Sequence, residues 1–279
     1  MKRVWLIFLL CCVGVLFAQE QVEVPSFVLG TFNIRCPGDL GENTWENRLP
    51  RCRELIASNK LEIFGLQEAF LYQIEGLLEG TNYRFIGGGR NDFKKSGEYS
   101  CIIYNPQRFE ELQSGLFGLS ENLQEPGLRS WNSACPRICT WGFFLDKKSG
   151  KRFFYYNTHL DHKSEEARIK GIQLIVEHAK KTAEGVPMIL SGDFNALPNS
   201  TTIDVVSGLL RDSRTISESK PTGAQGTYHA YGKIPLPVRI DYIFVSEGVR
   251  VLSYHVDKTK PQGGFASDHN PVITNIIIP

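Results

Sequence analysis

Six times along this 279-residue chain a short apolar run ends in, or encloses, an acidic, amide or imidazole side chain, and no other feature constrains the fold as much. The places are Asn33 after residues 28–32, Gln67-Glu68 after 63–66, Asn157-Thr158-His159-Leu160-Asp161-His162, Ser191-Gly192-Asp193-Phe194-Asn195, Asp241 within 239–243, and Ser267-Asp268-His269-Asn270-Pro271. Strand ends at a sheet edge can gather such residues into one site from distant parts of a chain. Taken singly, each has a simpler explanation. Glu68 could begin a helix, Asp193 and Asn195 could make an Asx turn, His159 could be a satisfied core histidine, and Asp268 could cap a loop.

The runs that lead into these residues read as strands over 27–32, 61–66, 100–104, 138–145, 153–157, 187–190, 239–245, 249–256 and 272–278. Helical periodicity predicts helices over 46–59, 69–78 and 165–183. In the last of these, Ser164 caps an acidic start at Glu165 and Glu166, and Lys180 and Lys181 close a basic end, as the helix dipole prefers. Residues 114–133 and 213–236 are rich in Gly, Pro, Ser and Asn and read as functional loops. Strands and helices are interspersed rather than segregated, with no repeat or linker after the N-terminus. The expectation is therefore one α/β domain over 19–279, with two packed mixed sheets flanked by helices as a four-layer α/β sandwich.

The N-terminus is read as an address. Lys2 and Arg3 precede an apolar run over 4–17 that is too short for a membrane span, which needs about 20 apolar residues, so residues 1–18 are expected to be a signal peptide cleaved after Ala18. The expected destination is export, periplasmic or extracellular. Loss of Lys2 and Arg3 takes the net charge from +1 to −1, and no basic stripe remains to coat duplex DNA. Lys94-Lys95, Lys147-Lys148 and Lys180-Lys181 are isolated pairs. The five remaining cysteines, Cys36, Cys52, Cys101, Cys135 and Cys139, are odd in number and show no zinc-site spacing, so mostly free thiols are expected.

In this order and with these neighbours, the six places resemble the endonuclease/exonuclease/phosphatase superfamily, the DNase-I-like fold, whose catalytic Asn, Glu, His, Asp-x-Asn and Asp-His follow one another along the chain. The resemblance runs from Phe27 to Ile278 and is strongest at Leu66-Gln67-Glu68, Gly192-Asp193-Phe194-Asn195 and Ser267-Asp268-His269. The Trp45 to Arg48 segment before the first helix and the form of the histidine motif are closer to deadenylase-like and sphingomyelinase-like branches than to apurinic endonucleases. Secreted bacterial members are similar in particular. Their Gly-Arg-Asp-Asp-Gly stretch reads here as Gly89-Arg90-Asn91-Asp92-Phe93 before Gly97-Glu98-Tyr99, departing at Asn91 and Phe93.

The side chains point to the same reaction class. Mg²⁺ or Mn²⁺ prefers carboxylate and amide oxygens, so Glu68 with Asn33 and Asp268 could hold the ion. The resemblance implies that Asp193 orients and deprotonates the attacking water and that Asn195 holds Asp193 and the phosphate. It also implies that His269 binds a non-bridging oxygen or acts as acid/base with Asp241 fixing its tautomer, and that His159 is a second imidazole on the phosphate. One metal or two stays open, because Asp193 and Asn195 could also be ligands. Arg137, and after it Arg90 and Arg168, could clamp phosphate; Asp161, His162, Tyr228 and His229 could reach substrate. The expected activity is hydrolysis of phosphodiester or phosphomonoester bonds, foremost as an endonuclease or 3'-5' exonuclease with single-stranded DNA or RNA among the substrates, by a monomer without a stable protein partner. The alternatives are a sphingomyelinase-like enzyme, an inositol-phosphate phosphatase, or a catalytically silent phosphate-binding module.

Overall fold

The computed structural model describes residues 25–279, so the signal peptide expected over 1–18 lies outside the described residues. The chain runs β1 (Phe27–Asn33), α1 (Trp45–Ser58), β2 (Ile63–Gln67), α2 (Leu71–Leu78), β3 (Arg84–Ile86), β4 (Ile102–Tyr104), β5 (Phe109–Gly118), β6 (Ile138–Asp146) and β7 (Lys151–His159). It continues through α3 (Glu165–Thr182), β8 (Met188–Asp193), α4 (Thr201–Ser207), β9 (Arg211–Asp212), α5 (Ser213–Ile216), β10 (Thr222–Gly223), β11 (Asp241–Val245), β12 (Arg250–Val256) and β13 (Val272–Ile277).

Seven strands form one mixed sheet in the order β10-β12-β13-β1-β2-β4-β3, and six form the other as β5-β6-β7-β8-β11-β9. Their inner faces meet through Phe27, Leu29, Ile63, Phe153, Tyr155 and Ile243. The outer face of the first sheet is covered by α1 and α2 through Cys52, Leu55, Ile56, Ile74 and Leu77. The outer face of the second is covered by α3 and α4 through Ile172, Ile175, Ile203 and Val206. Each such side chain, fully buried, contributes roughly 1.5–3 kcal/mol against exposure, so the four layers are held by apolar burial. In α3, Ser164 Oγ accepts the Ala167 N–H, which satisfies one of the free donors of the first turn.

Several elements differ from the sequence reading, among them the two- and three-residue strands β3, β9 and β10 and the four-residue α5, which are too short to show a period. Residues 114–133 do not form one loop, because β5 extends to Gly118 as an edge strand. Its residues 110–114 are exposed and polar apart from Leu112, so no apolar alternation marks them, and a bulge between Glu111 and Gln113 interrupts its register with β6. The helix α4 is short and rich in β-branched Thr, Ile and Val, poor helix formers; packing of Ile203 and Val206 against α3 sets its conformation. The Trp45 to Arg48 segment, expected to precede the first helix, is instead its first turn.

Strand register delivers the functional side chains. Parallel β1 and β2 place Asn33 opposite Gln67, parallel β7 and β8 place His159 opposite Asp193, and antiparallel β11 brings Asp241 opposite Asp193 as well. Beneath them the sheets are joined by polar contacts. Gln67 Nε2 donates to Thr31 Oγ1 (2.9 Å) and Asn157 Oδ1 (2.7 Å), while Asn157 Nδ2 donates to the carbonyls of Leu66 and Cys101. Gly65 makes this approach possible, since a Cβ there would lie 2.3 Å from Asn157 Oδ1. All five cysteines among the described residues are free.

Candidate active site

The six places converge. A cavity of about 330 Å³ opens where β1, β2, β7 and β8 end, and Glu68, His159, Asp193, Asn195, Asp268 and His269 all line it. Asn33 and Asp241 lie just behind its wall. Asn33 Nδ2 donates to Glu68 Oε1 (3.0 Å) and to Asp193 Oδ2 (2.9 Å), and its Oδ1 accepts the Arg35 N–H (3.0 Å). Asn33 thus bridges two carboxylates through its amide nitrogen, with its amide oxygen engaged by the main chain. Asp241 Oδ2 faces His269 Nδ1 at 2.8 Å and leaves Nε2 toward the cavity, 3.8 Å from Asp193 Oδ2. Asn195 Nδ2 donates to His159 Nε2 and to the Leu160 carbonyl, both at 3.0 Å, and its N–H donates to Asp193 Oδ1 (2.9 Å). Glu68 (φ 59°) and Asn195 (φ 47°) both sit in the left-handed region, where non-glycine residues rarely sit and then often at functional sites.

The environments push these groups apart. Burial, followed by the neighbouring Asp241 charge, raises the Asp193 carboxyl to about 7. Burial disfavours a charged His269, but Asp241 and then Asp193 overcome it and hold the ring's pKa up at about 10. His159 goes the other way: burial and the Arg137 cation push it well below its ordinary value, so it is neutral, and its Nε2 accepts from Asn195. The 3.5 Å approach of His159 to Asp193 is therefore no ion pair. Burial would raise Glu68, yet the Cys36 N–H, the Asn33 amide and the charged His269 ring hold it well below the usual carboxylate range. Asp268 is raised by burial, then by the like charge of Glu68, with His269 and Arg35 opposing.

Several wall residues carry no strand-end signature. Arg35, on the loop after β1, places Nη1 3.6 Å from Glu68 and Nε 3.9 Å from Asp268. Arg137 lies in the segment before β6, with Nε 3.4 Å from Asp161, Nη2 3.0 Å from His162 and Nη1 buried without a partner. Arg90, Glu98, Cys36, Cys135, Tyr228 and His162 complete most of the rim. Asp161 and His229, both expected to reach substrate, do not line the cavity. Asp161 is 1% exposed, accepts the N–H groups of Ala134, Lys163 and Ser164 and supports Arg137, so its oxygens are spent on fixing two loops. His229 stacks on Phe265 (4.9 Å) and its Nδ1 accepts the Gly232 N–H. Arg168 donates to the Asp161 carbonyl and does not line the cavity either.

Sequence reasoning missed how the two loops that carry Arg35 and Asp268 are held. Arg48, fully buried in α1, pairs with no carboxylate among the described residues and instead donates to the carbonyls of Ile34, Arg35, Cys36 and Asn43 on one loop and Ala266 on the other. The Trp-x-x-Arg spacing was the available signal, since it sets both residues on one turn with Arg48 over the Trp45 ring.

Glu68, His159 and Asp193 place ligand atoms within 4.8 Å of one another, and so do Asp193, Asp241 and His269. Glu68 and Asp268 both lie beside Arg35, at 3.6 and 3.9 Å. An oxygen-rich set of this kind, without paired thiolates, fits a hard divalent cation.

A sequence profile described as the endonuclease/exonuclease/phosphatase family matches residues 30–269. The chain belongs to that family. Its members act on phosphate esters, and the chain is a hydrolase of this phosphoesterase class. Among solved structures, the family protein from Bacteroides vulgatus is 34% identical with a TM-score of 0.88, covering 91% of this chain and 100% of its own. A mannosyl-6-phosphatase from Bacteroides thetaiotaomicron is 31% identical with a TM-score of 0.83 over 91% and 100% of the two chains. The catalytic domain of human nocturnin shares the fold at 20% identity and a TM-score of 0.71, over 91% of this chain and 95% of that domain. No curated protein sequence matches the chain.

Proposed function

We propose that this chain is an exported, Mg²⁺-dependent phosphomonoesterase that removes phosphate from a small, hydroxylated molecule such as a sugar phosphate. The observation that carries this reading is the shape and lining of the cavity. A cup of about 330 Å³ surrounds one cluster of carboxylates and imidazoles with Arg35, Arg90 and Arg137, and among the described residues Tyr228 is the one Phe, Tyr or Trp in its wall. Such a cup suits a single phosphoryl group with a compact polar remainder. A polynucleotide track would instead call for successive stacking rings and a basic groove. The 31% identity to a mannosyl-6-phosphatase along its whole length supports the same reading. Export rests on the apolar start of the sequence.

Glu68 and Asp268 would hold the cation, with Asp193 as a further carboxylate within reach. When bound, a divalent ion would withdraw charge from the phosphoryl oxygens and favour ionisation of water. Asp193, with a pKa near neutrality, is the group suited to orient the attacking water and take its proton. His269, kept protonated by Asp241, can donate from Nε2 to a non-bridging oxygen as charge develops there. Asn195 fixes both Asp193 and the neutral His159. The Arg137 Nη1, buried and unpartnered, supplies a donor for a second phosphoryl oxygen.

The test is phosphate release by purified protein with Mg²⁺ from hexose 6-phosphates, inositol phosphates, sphingomyelin, single-stranded DNA and RNA. Preferential turnover of a small phosphomonoester, stopped by EDTA and restored by Mg²⁺, is expected. Cleavage of nucleic acid with no release from any monoester would reject the reading.

A further inference from the structure

We propose that the Arg90–Glu98 pair forms a second subsite of the cavity, one that binds vicinal hydroxyls on the leaving group of the substrate. The inference rests on the phosphomonoesterase reading and adds the chemistry of the part that departs. Its basis is a hairpin held against the metal-side wall. The Tyr99 N–H donates to the Ala69 carbonyl at 2.7 Å, so Glu98 is anchored beside the residue that follows Glu68. The two arms close through Arg90 N–H to the Glu98 carbonyl (3.0 Å) and Asn91 N–H to the Ser96 carbonyl (3.0 Å). Glycine is required at both ends of the closure. A Cβ on Gly89 would lie 2.2 Å from the Ser96 carbonyl oxygen, and Gly97 has φ +89°.

The side chains then form a planar two-point pair, Nη1 to Oε2 at 2.8 Å and Nη2 to Oε1 at 2.7 Å, with 16% of each side chain exposed. The pair lines both the cavity and the recess behind it, together with Arg137 and His159. Its net charge is zero, so it offers no attraction to a second phosphate. Each Glu98 oxygen retains a lone pair and Arg90 retains further N–H donors. Acceptors and donors set side by side on a rigid plane match the alternating donor and acceptor character of neighbouring hydroxyls. They match neither a lipid tail nor a nucleobase face.

The test compares kcat/KM for a hexose 6-phosphate and for phenyl phosphate, which presents the same phosphoryl group without hydroxyls. In Glu98→Gln the ratio of the two values should fall at least tenfold, with the loss on the hexose phosphate carried by KM. An unchanged ratio overturns the inference. The unmodified protein supplies a second measurement that a folding defect cannot blur: it should prefer hexose 6-phosphate to hexyl phosphate by at least tenfold, and equal values also overturn the inference. If it releases phosphate from none of these esters, the phosphomonoesterase reading falls and this inference falls with it. Turnover of all of them without preference removes this inference alone.

Discussion

The floor of the cavity is set by strand register, whereas its rim is set by loops and one hairpin. His159 and Asp193 sit opposite each other because β7 and β8 run parallel, and Asp241 joins them because β11 pairs antiparallel with β8. A one-residue slip would turn each of these side chains to the other face of the sheet, so the pairing that builds the core also aims the chemistry. Arg35, Arg90 and Arg137 come from segments outside the regular strands and are fixed by side-chain contacts to Asp39, Glu98 and Asp161. A floor built this way suits a reaction common to many relatives, and a rim built this way can change substrate without disturbing the reaction.

That contrast can be broken by substitution, beginning with the floor. Asp193→Ala should lower kcat by about 10³-fold or more, in the range typical for loss of a group acting on the reacting water. Because burial and Asp241 disfavour the Asp193 charge, Asp193→Asn should melt at a higher temperature than the unmodified protein at pH 8, which calorimetry would register. Normal turnover in either variant would remove Asp193 from the reaction. Asp241→Asn should cost about 10²-fold in kcat, since the His269 ring loses the charge that holds its pKa up. Direct NMR titration of His269 in that variant should show its pKa falling from about 10.

A rim substitution should act differently. Arg137→Met is expected to raise KM about tenfold, the scale of one charge-assisted contact, while kcat changes less. A fall in kcat alone would place Arg137 on the floor's side of the comparison. The smallest effect on activity is expected far from the cavity, at the buried cluster in which Arg108 bonds Asp146 (3.0 Å) and Glu62 (2.8 Å). Asp146→Asn should leave kcat/KM within twofold and cost on the order of 2 kcal/mol of stability. Burial would raise the Asp146 carboxyl, but Arg108, Ser149 and the Lys148 N–H hold it below its ordinary 3.8. Its contribution is thus complete above pH 3.8 and is lost as pH falls through the lowered value, a loss that acid unfolding of the variant should no longer show.

The same contrast explains what could be read from the sequence. Glu68, Asp193 and His269 stood out because each ends or follows an apolar run whose period of two predicts a strand, and strand ends share an edge. Nine of the thirteen strands among the described residues, the helices α1 to α3 and the gathering of the six places were legible for that reason, whereas β3, β5, β9 and β10 are too short or too polar to show a period. Arg137 was singled out as a phosphate clamp, but its support was not legible, since Asp161, 24 positions away, faces its Nε and accepts the N–H groups of Ala134 and Cys135. Asp161 and His229 lie outside the cavity lining, a difference the sequence could not show, because a polar residue beside a motif looks the same whether it faces the cavity or braces a loop. Arg48 was visible only as a spacing, since its partners are main-chain carbonyls, which carry no residue identity.

The most direct measurement is the fate of the oxygen when the protein with Mg²⁺ hydrolyses a hexose 6-phosphate in ¹⁸O-water, followed by phosphorus NMR and mass spectrometry of the sugar. Attack of an Asp193-held water on phosphorus predicts a single ¹⁸O in each released phosphate and none in the sugar, with no release by Asp193→Ala. Label in the sugar hydroxyl, or the same release from Asp193→Ala, would contradict the account.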